Sequence, residues 1–162
     1  MKGNKKVLET LNNSLRGELT AISQYFLHAR ILDDWGMTKL GRHEKKESIE
    51  EMNHADLLIK RILLLEGLPN LQELDKLMIG ENVKEVLEAD LKLEKHGIAT
   101  YRKGIAICEE AQDYVSRDLL IKILTDEEGH QDHVETQLQM IEDMGFENYI
   151  QLQSDSVDQQ DA

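Results

Sequence analysis

A single cysteine, Cys108, stands in 162 residues. That excludes an internal disulfide, a Cys-x-x-Cys iron site and covalent haem attachment through Cys-x-x-Cys-His. One proline, Pro69, and aromatics at only 4% speak against a sandwich or barrel; Leu, Ile, Glu and Lys dominate instead, the composition of a helical bundle. No apolar run approaches the length needed to cross a membrane. The basic start Met1-Lys2-Gly3-Asn4-Lys5-Lys6 leads directly into an amphipathic segment with no apolar core of an export signal. The expectation is a soluble cytoplasmic protein with no membrane partner. Positive charge is also short: 19 Lys and Arg face 32 Asp and Glu, for a net charge of −13. Binding of phosphate rests on clustered cations, so nucleic acid is not an expected partner. An acidic surface instead raises the local concentration of metal ions, although acid is also a common route to solubility.

What the chain does have is material for one domain: 18.6 kDa with 40% hydrophobic residues, enough for a continuous core. Apolar residues recur at Leu8, Leu11, Leu15, Leu19, Ile22, Tyr25/Phe26 and Ala29, the three-and-four spacing of one helical face. This predicts a first helix over about 5–34, ended by Asp33-Asp34-Trp35-Gly36, and a second over about 38–66 through Ile49, Met52, Leu58, Ile62 and Leu65. The short turn makes them antiparallel neighbours. Residues 67–80 carry both flanking glycines and Pro69 without sustained periodicity, which predicts a crossover. Extended at ~3.3 Å per residue the crossover reaches about 46 Å, more than the roughly 40 Å of such a helix. The third helix is therefore expected to start at the end where the first started. The third helix is predicted over about 82–111 and the fourth over about 113–144, with a tight turn at Gln112; Gly145 breaks the pattern before a short fifth helix over 146–153. The domain is expected to span 1–153, leaving 154–162 as an acidic disordered tail.

Two copies of one acidic phrase occur seventy-six residues apart: Glu51-Met-Asn-His54-Ala-Asp56 and Glu127-Glu-Gly-His130-Gln-Asp132. A single Glu-x-x-His means nothing in so glutamate-rich a chain. The same offset, however, also joins Glu18 to Glu94 and Tyr25 to Tyr101, a concordance that chance supplies poorly. Glu18 interrupts the seam Leu11, Leu15, Ile22, Tyr25, and Glu94 interrupts Leu87, Leu91, Ile98, Tyr101. A carboxylate on the inner face of a bundle costs several kcal/mol unless something pairs with it. Residues three apart lie roughly 60° apart around a helix, so Glu51 with His54, and Glu127 with His130, can each grip one ion. Four carboxylates balance two divalent cations. Mixed oxygen and imidazole ligands without thiolate suit iron or manganese better than structural zinc. A glutamate from each of two helices plus a Glu-x-x-His from each of the other two is the ligand set of ferritin-like di-iron bundles. The fold class is thus expected to be all-α, a ferritin-like four-helix bundle with a long crossover between its second and third helices and a short fifth C-terminal helix.

The blocks Met1-Lys2-Gly3, Gln24-Tyr25-Phe26-Leu27-His28, Glu47-Ser48-Ile49-Glu50-Glu51-Met52, His54-Ala55-Asp56, Leu65-Glu66-Gly67-Leu68-Pro69-Asn70-Leu71-Gln72 and Asp126-Glu127-Glu128-Gly129-His130 fall in order and resemble the bacterioferritin family over about residues 1–153. The resemblance implies iron storage and detoxification. It implies ferroxidase chemistry that turns Fe²⁺ into Fe³⁺ with O₂ or H₂O₂, and a hollow twenty-four-subunit shell, of one chain or mixed with a paralogue, that holds ferric mineral. It makes Glu51 and Glu127 bridges between two irons, Glu18 and Glu94 the outer carboxylates, and His54 and His130 the imidazole of one iron each. It makes Met52 the ligand of haem b shared between subunits, and a small ferredoxin the reductant of the core. Helical geometry turns Met52 away from the inner face, roughly 100° from Glu51, although a methionine on a helix is more often packing. Lys46 departs from the pattern, standing where some members have a histidine for an inner-surface iron site; that site is not carried over, and Glu47 and Glu50 remain as acids able to collect iron. Tyr25 and Tyr101 are expected to donate to carboxylates of the opposite half or simply to fill the seam. Asp90, Glu50 and Asp126 are expected to orient His54 and His130. Alternatives are another di-iron oxidase or peroxidase of rubrerythrin type, whose four-cysteine module one cysteine cannot build; a mini-ferritin, which shares its metal site between subunits; and a non-enzymatic helical interaction module.

Overall fold

Asn4, Asn82 and Asp113 each cap the start of a long helix. In the computed structural model, which describes residues 1–157, the Asn4 side chain accepts from the Lys6 and Val7 amides at 2.8 and 3.3 Å, Asn82 from Glu85 N at 2.9 Å and Asp113 from Ser116 N at 2.9 Å. Each cap satisfies amides that the first helical turn leaves unpaired. The elements are α1 (Lys5–Asp34), α2 (Thr38–Leu64), α3 (Val83–Glu110), α4 (Tyr114–Met144) and the short α5 (Phe146–Gln151). The order and type match the sequence reading, and no strand occurs among the described residues. The second helix stops two residues short of the expected end, because Glu66 adopts φ 59° and its amide closes the turn on Leu63 O at 3.0 Å.

α1 and α2 form one antiparallel pair and α3 and α4 the other. The crossover lies along α1, pinned by polar side chains that recur along one side of that helix. Asn12 bonds to Leu68 O and Asn70 N, Thr20 Oγ1 accepts from Asp75 N at 2.9 Å, Gln24 Oε1 from Met78 N at 3.1 Å, and His28 Nε2 from Gly80 N at 3.1 Å. The strap therefore climbs from the start of α1 to its end. This corrects the sequence expectation for the third helix, which starts where α1 finishes and not where it begins. α2 ends beside the start of α1, as the Gly3 N to Leu65 O bond of 2.9 Å shows, so a strap of full bundle length must deliver the chain to the opposite end. α3 consequently runs antiparallel to α1. Gly80 has to be glycine at this corner, where a Cβ would collide with the backbone of Glu85 and Val86.

Two apolar clusters fill the bundle. One gathers Val7, Leu11, Leu15, Leu58, Ile62, Cys108, Leu120 and Ile123. The other gathers Leu32, Leu40, Val83, Val86, Leu87, Val134, Ile141 and Tyr149 at the opposite end. Tyr149 brings α5 down onto this end, its hydroxyl donating to Gln137 Oε1 at 2.7 Å. The first residues of the expected tail are tied to the start of α2: Ser154 Oγ donates to Gly36 O at 2.7 Å, Asp155 N to Thr38 Oγ1 at 2.9 Å, and Asp155 takes the Arg42 guanidinium. The rest of that expectation, residues 158–162, lies outside the described residues. Between the two clusters the bundle interior is lined by charged side chains.

Candidate metal centre

Glu18 on α1, Glu51 and His54 on α2, Glu94 on α3, and Glu127 and His130 on α4 are all buried, none more than 7% exposed. The structure thus brings together all six residues singled out from sequence. They form two groups of potential ligand atoms, Glu18/Glu51/His54/Glu127 and Glu51/Glu94/Glu127/His130, the atoms of each lying within 4.8 Å of one another. Glu51 and Glu127 belong to both groups. His54 Nδ1 stands 3.0 Å from Glu127, 3.5 Å from Glu51 and 3.7 Å from Glu18. His130 Nδ1 stands 2.9 Å from Glu51, 3.7 Å from Glu94 and 3.9 Å from Glu127. The near-equivalence of the two halves is the spatial form of the seventy-six-residue repeat.

The donor set is left open toward the centre. Both Nδ1 atoms, both oxygens of Glu51 and one oxygen each of Glu18, Glu94 and Glu127 face one another with no hydrogen bond to any group outside the six, which is costly for buried polar groups unless protons or cations bridge them. The outward faces of the same groups are held. Asp126 engages His54 Nε2 at 2.9 Å and Glu50 engages His130 Nε2 at 2.7 Å, which fixes the proton on Nε2 and aims the Nδ1 lone pair inward. Glu47 Oε2 also lies 2.7 Å from His130 Nε2, but a single N–H can align with only one acceptor, and Glu50 has the better geometry. The Tyr25 hydroxyl donates to Glu94 and the Tyr101 hydroxyl to Glu18, each crossing between α1 and α3. Asp90 departs from expectation: it pairs with His28 and Gln24 instead of orienting His54 or His130, because on α3 it sits one turn before Glu94 and faces the end of α1.

Burial first, and then the charge of Glu51, raise the Glu18 carboxyl well above the usual range; burial and the charges of Glu18 and Glu51 do the same for Glu127. Burial opposes the charged form of both imidazoles, but the carboxylates around them outweigh it and raise His54 and His130. Glu51 is pushed up by burial and down, more strongly, by Glu18, His130 and His54, so it stays ionised. Without metal the centre therefore carries protons where ligand lone pairs are needed. Two divalent cations would exchange with those protons and leave the charge balanced.

A cavity of about 410 Å³ leads from the surface between α1 and α3 to Glu18, Glu94 and Glu127, with Glu9, His96 and Gly97 on its wall. At Gly97 the nearest atom to an added Cβ is Glu127 Oε2, at 3.9 Å, so the absent side chain keeps this approach open. Met52 is 56% exposed on the outer side of α2, with exposed Ile49 one turn before it and exposed Phe26 and Leu27 on α1. Sequence reasoning did not find a further buried group, His28, Glu44 and Asp90. Its signal was present in the spacing, since Glu44 precedes Glu51 by seven residues and Asp90 precedes Glu94 by four, on the same helical faces.

Compared with known proteins, residues 8–144 match the family model of the ferritin-like domain. The chain is 53% identical over 159 residues to a bacterioferritin of Brucella melitensis, covering 98% of this chain and 99% of that one. It is 50% identical over 154 residues to a bacterial ferritin of Pseudomonas aeruginosa, covering 94% and 99%. It is 48% identical over 149 residues to a bacterioferritin of Mycobacterium tuberculosis, covering 92% and 94%.

Proposed function

Because this chain belongs to the ferritin family and, within it, to the bacterioferritins, we propose that it stores iron as a ferroxidase whose centre is formed by Glu18, Glu51, His54, Glu94, Glu127 and His130. The observation that carries this reading is the pair of overlapping ligand groups sharing Glu51 and Glu127, with their inward atoms lacking any other partner. Fe²⁺ is the substrate. It reaches the acids through the cavity beside Gly97, drawn by the net charge of −13. Glu51 and Glu127 hold both ions, Glu18 and Glu94 close the outer sides, and His54 and His130 each give one Nδ1. O₂ or H₂O₂ accepts the electrons, and the ferric product is stored inside an oligomeric shell of twenty-four subunits. The protein's part is to position and neutralise charge: Asp126 and Glu50 keep the rings oriented, and the two tyrosines stop Glu18 and Glu94 from swinging away. Replacing Glu18 with Ala is expected to abolish fast Fe²⁺ oxidation, followed by stopped-flow absorbance, while the helices and the shell remain; an unchanged rate would refute the assignment.

The exposed Met52 thioether, flanked by exposed Ile49 on its own helix, with Phe26 and Leu27 exposed on α1, would hold haem b between two subunits, and the haem when bound would supply a path for electrons to the stored iron. A small reducing ferredoxin fits the same role. Met52→Leu is expected to remove the haem absorption bands from the purified shell without changing the di-iron oxidation rate, and bands that persist unaltered would move the ligand elsewhere.

A further inference from the structure

Glu44 of α2 and Asp90 of α3 are fully buried beside His28 of α1, at 2%, 0% and 0% exposure. The three offer ligand atoms within 4.8 Å of one another, so the first question is whether they form a third metal site. They do not suit one. His28 Nε2 accepts from Gly80 N–H at 3.1 Å, which places the ring's proton on Nδ1, and that Nδ1 lies 2.9 Å from Asp90 Oδ1. Both nitrogens are committed, so His28 is a neutral donor to Asp90 and has no lone pair left for a metal. Gln24 Nε2 gives Asp90 Oδ1 a second bond at 3.0 Å. Asp90 Oδ2 and Glu44 Oε2 remain, both buried and without a partner. Two carboxylate oxygens are too few ligands for a dehydrated cation, and two buried carboxylates side by side do not both stay ionised.

We propose that Glu44 and Asp90 share one proton, carried by Glu44 and accepted by Asp90, and that this pair is a charge-compensating proton store which releases it when the neighbouring metal centre is oxidised. The proposal rests on the di-iron reading above. Asp90 lies one turn, ~6 Å of helical rise, from Glu94, and Tyr25, whose hydroxyl is bound to Glu94, feels the charges of both Asp90 and Glu44. The titratable groups around Glu44 are His28 and Tyr25 from α1, Glu47 from its own helix, Asp90 and Glu94 from α3, and Tyr149 from α5. Burial, then the charge of Asp90 and its hydrogen bond, raise the Glu44 carboxyl well above the usual range, with Glu47 and Glu94 adding to it. No cation among these groups offsets that pressure, so a proton is the available counter-charge.

Oxidation of two Fe²⁺ by H₂O₂ sends two electrons to the peroxide, breaks its O–O bond and takes two protons to form two waters, while the metal charge rises by two. At a separation of about 10 Å and an effective dielectric of about 20, each added unit charge shifts a proton equilibrium roughly 15-fold, so two shift it roughly 200-fold. The Glu44 proton then leaves its oxygen and supplies one of the two that the reaction consumes, leaving the pair doubly ionised beside a more positive centre. Glu44 acts at a distance; it is a charge-compensating residue that touches neither metal nor oxidant.

The test combines infrared difference spectroscopy with proton counting on the assembled protein and on Glu44→Gln, which keeps a hydrogen bond to Asp90 but has no dissociable proton. With the six-residue centre filled by Zn²⁺ and its own protons displaced, the wild type should still show a protonated-carboxyl stretch that the variant lacks, and oxidation of two Fe²⁺ per subunit with stoichiometric H₂O₂ should remove it. In that single turnover the variant should draw about one more proton per subunit from solvent than the wild type. A band of the Zn²⁺-loaded protein that survives Glu44→Gln, a wild-type band that survives oxidation, equal proton uptake in the two proteins, or a third Zn²⁺ bound at Glu44 and Asp90 would each overturn the proposal. Glu44→Met, which removes the same proton without needing a hydrogen bond, gives the second arm if Glu44→Gln does not assemble. Failure to bind two Zn²⁺ at the six-residue centre would instead sink the di-iron reading, so the two outcomes are distinct.

Discussion

Lowering the pH should release metal from this centre far more steeply than from an exposed carboxylate site. In the metal-free protein the carboxylates facing His54 and His130 outweigh burial and raise both imidazoles, and burial with the neighbouring carboxylate charges raises Glu18 and Glu127; because Glu18 and Glu127 themselves face His54, a proton on either weakens the hold on the imidazole, and the six groups share their protons. Every one of these groups must present a lone pair to a cation. Loading a pair of divalent ions should therefore expel the shared protons, about two to four per subunit, while the imidazoles keep their Nε2 protons on Asp126 and Glu50. The sign follows from the direction of the shifts: all four groups bind protons more tightly than their ordinary values, so protons compete with metal across neutrality and the competition weakens as pH rises. With about two to four protons exchanged, one pH unit downward should weaken loading of the pair by about 10² to 10⁴, roughly 3–5 kcal/mol. Calorimetric titration with redox-inert Zn²⁺ in buffers of different ionisation enthalpy counts these protons directly. Glu18→Gln should lower the count by about one. Release of fewer than about two protons, or an affinity indifferent to pH between mildly acidic and neutral conditions, would refute the picture of a proton-filled metal-free centre.

The remaining predictions concern the apolar half of the bundle. Leu58→Ala should destabilise the metal-free subunit by about 2–5 kcal/mol in denaturant unfolding, because Leu58 is wholly buried among Leu11, Leu15, Ile62 and Leu120; a loss below about 1 kcal/mol would mean that this end repacks. Burial, with a smaller push from Asp113 against the pull of Arg61, raises the Cys108 thiol to about 11, so at neutral pH only about one molecule in 10⁴ carries the thiolate. Cys108 should therefore resist thiol reagents until the bundle unfolds, and rapid labelling of the native protein would contradict its placement.

The six side chains that meet at the centre, the helices and the chain's membership of its family were all legible in the residues themselves, because each is a local or periodic property. A glutamate inside an apolar seam, as Glu18 lies between Leu15 and Ile22, announces a buried acid, and Glu-x-x-His announces two potential donors on one helical face. What sequence could not give was direction along the bundle and the partners of each group. The start of α3 was expected at the wrong end because reach says how far a strap can travel and not from which end it departs. That was decided by α2 returning to Gly3 and by Asn12, Thr20, Gln24 and His28 receiving the strap in turn. The same assembly of helices paired Asp90 with His28 and not with His54 or His130, and set Glu44 against it. Periodicity fixes which side of a helix a residue occupies, since that depends only on the chain's own repeat. Which charge it meets there depends on how separate helices are brought together, and in this protein that pairing sets which buried acid faces which histidine.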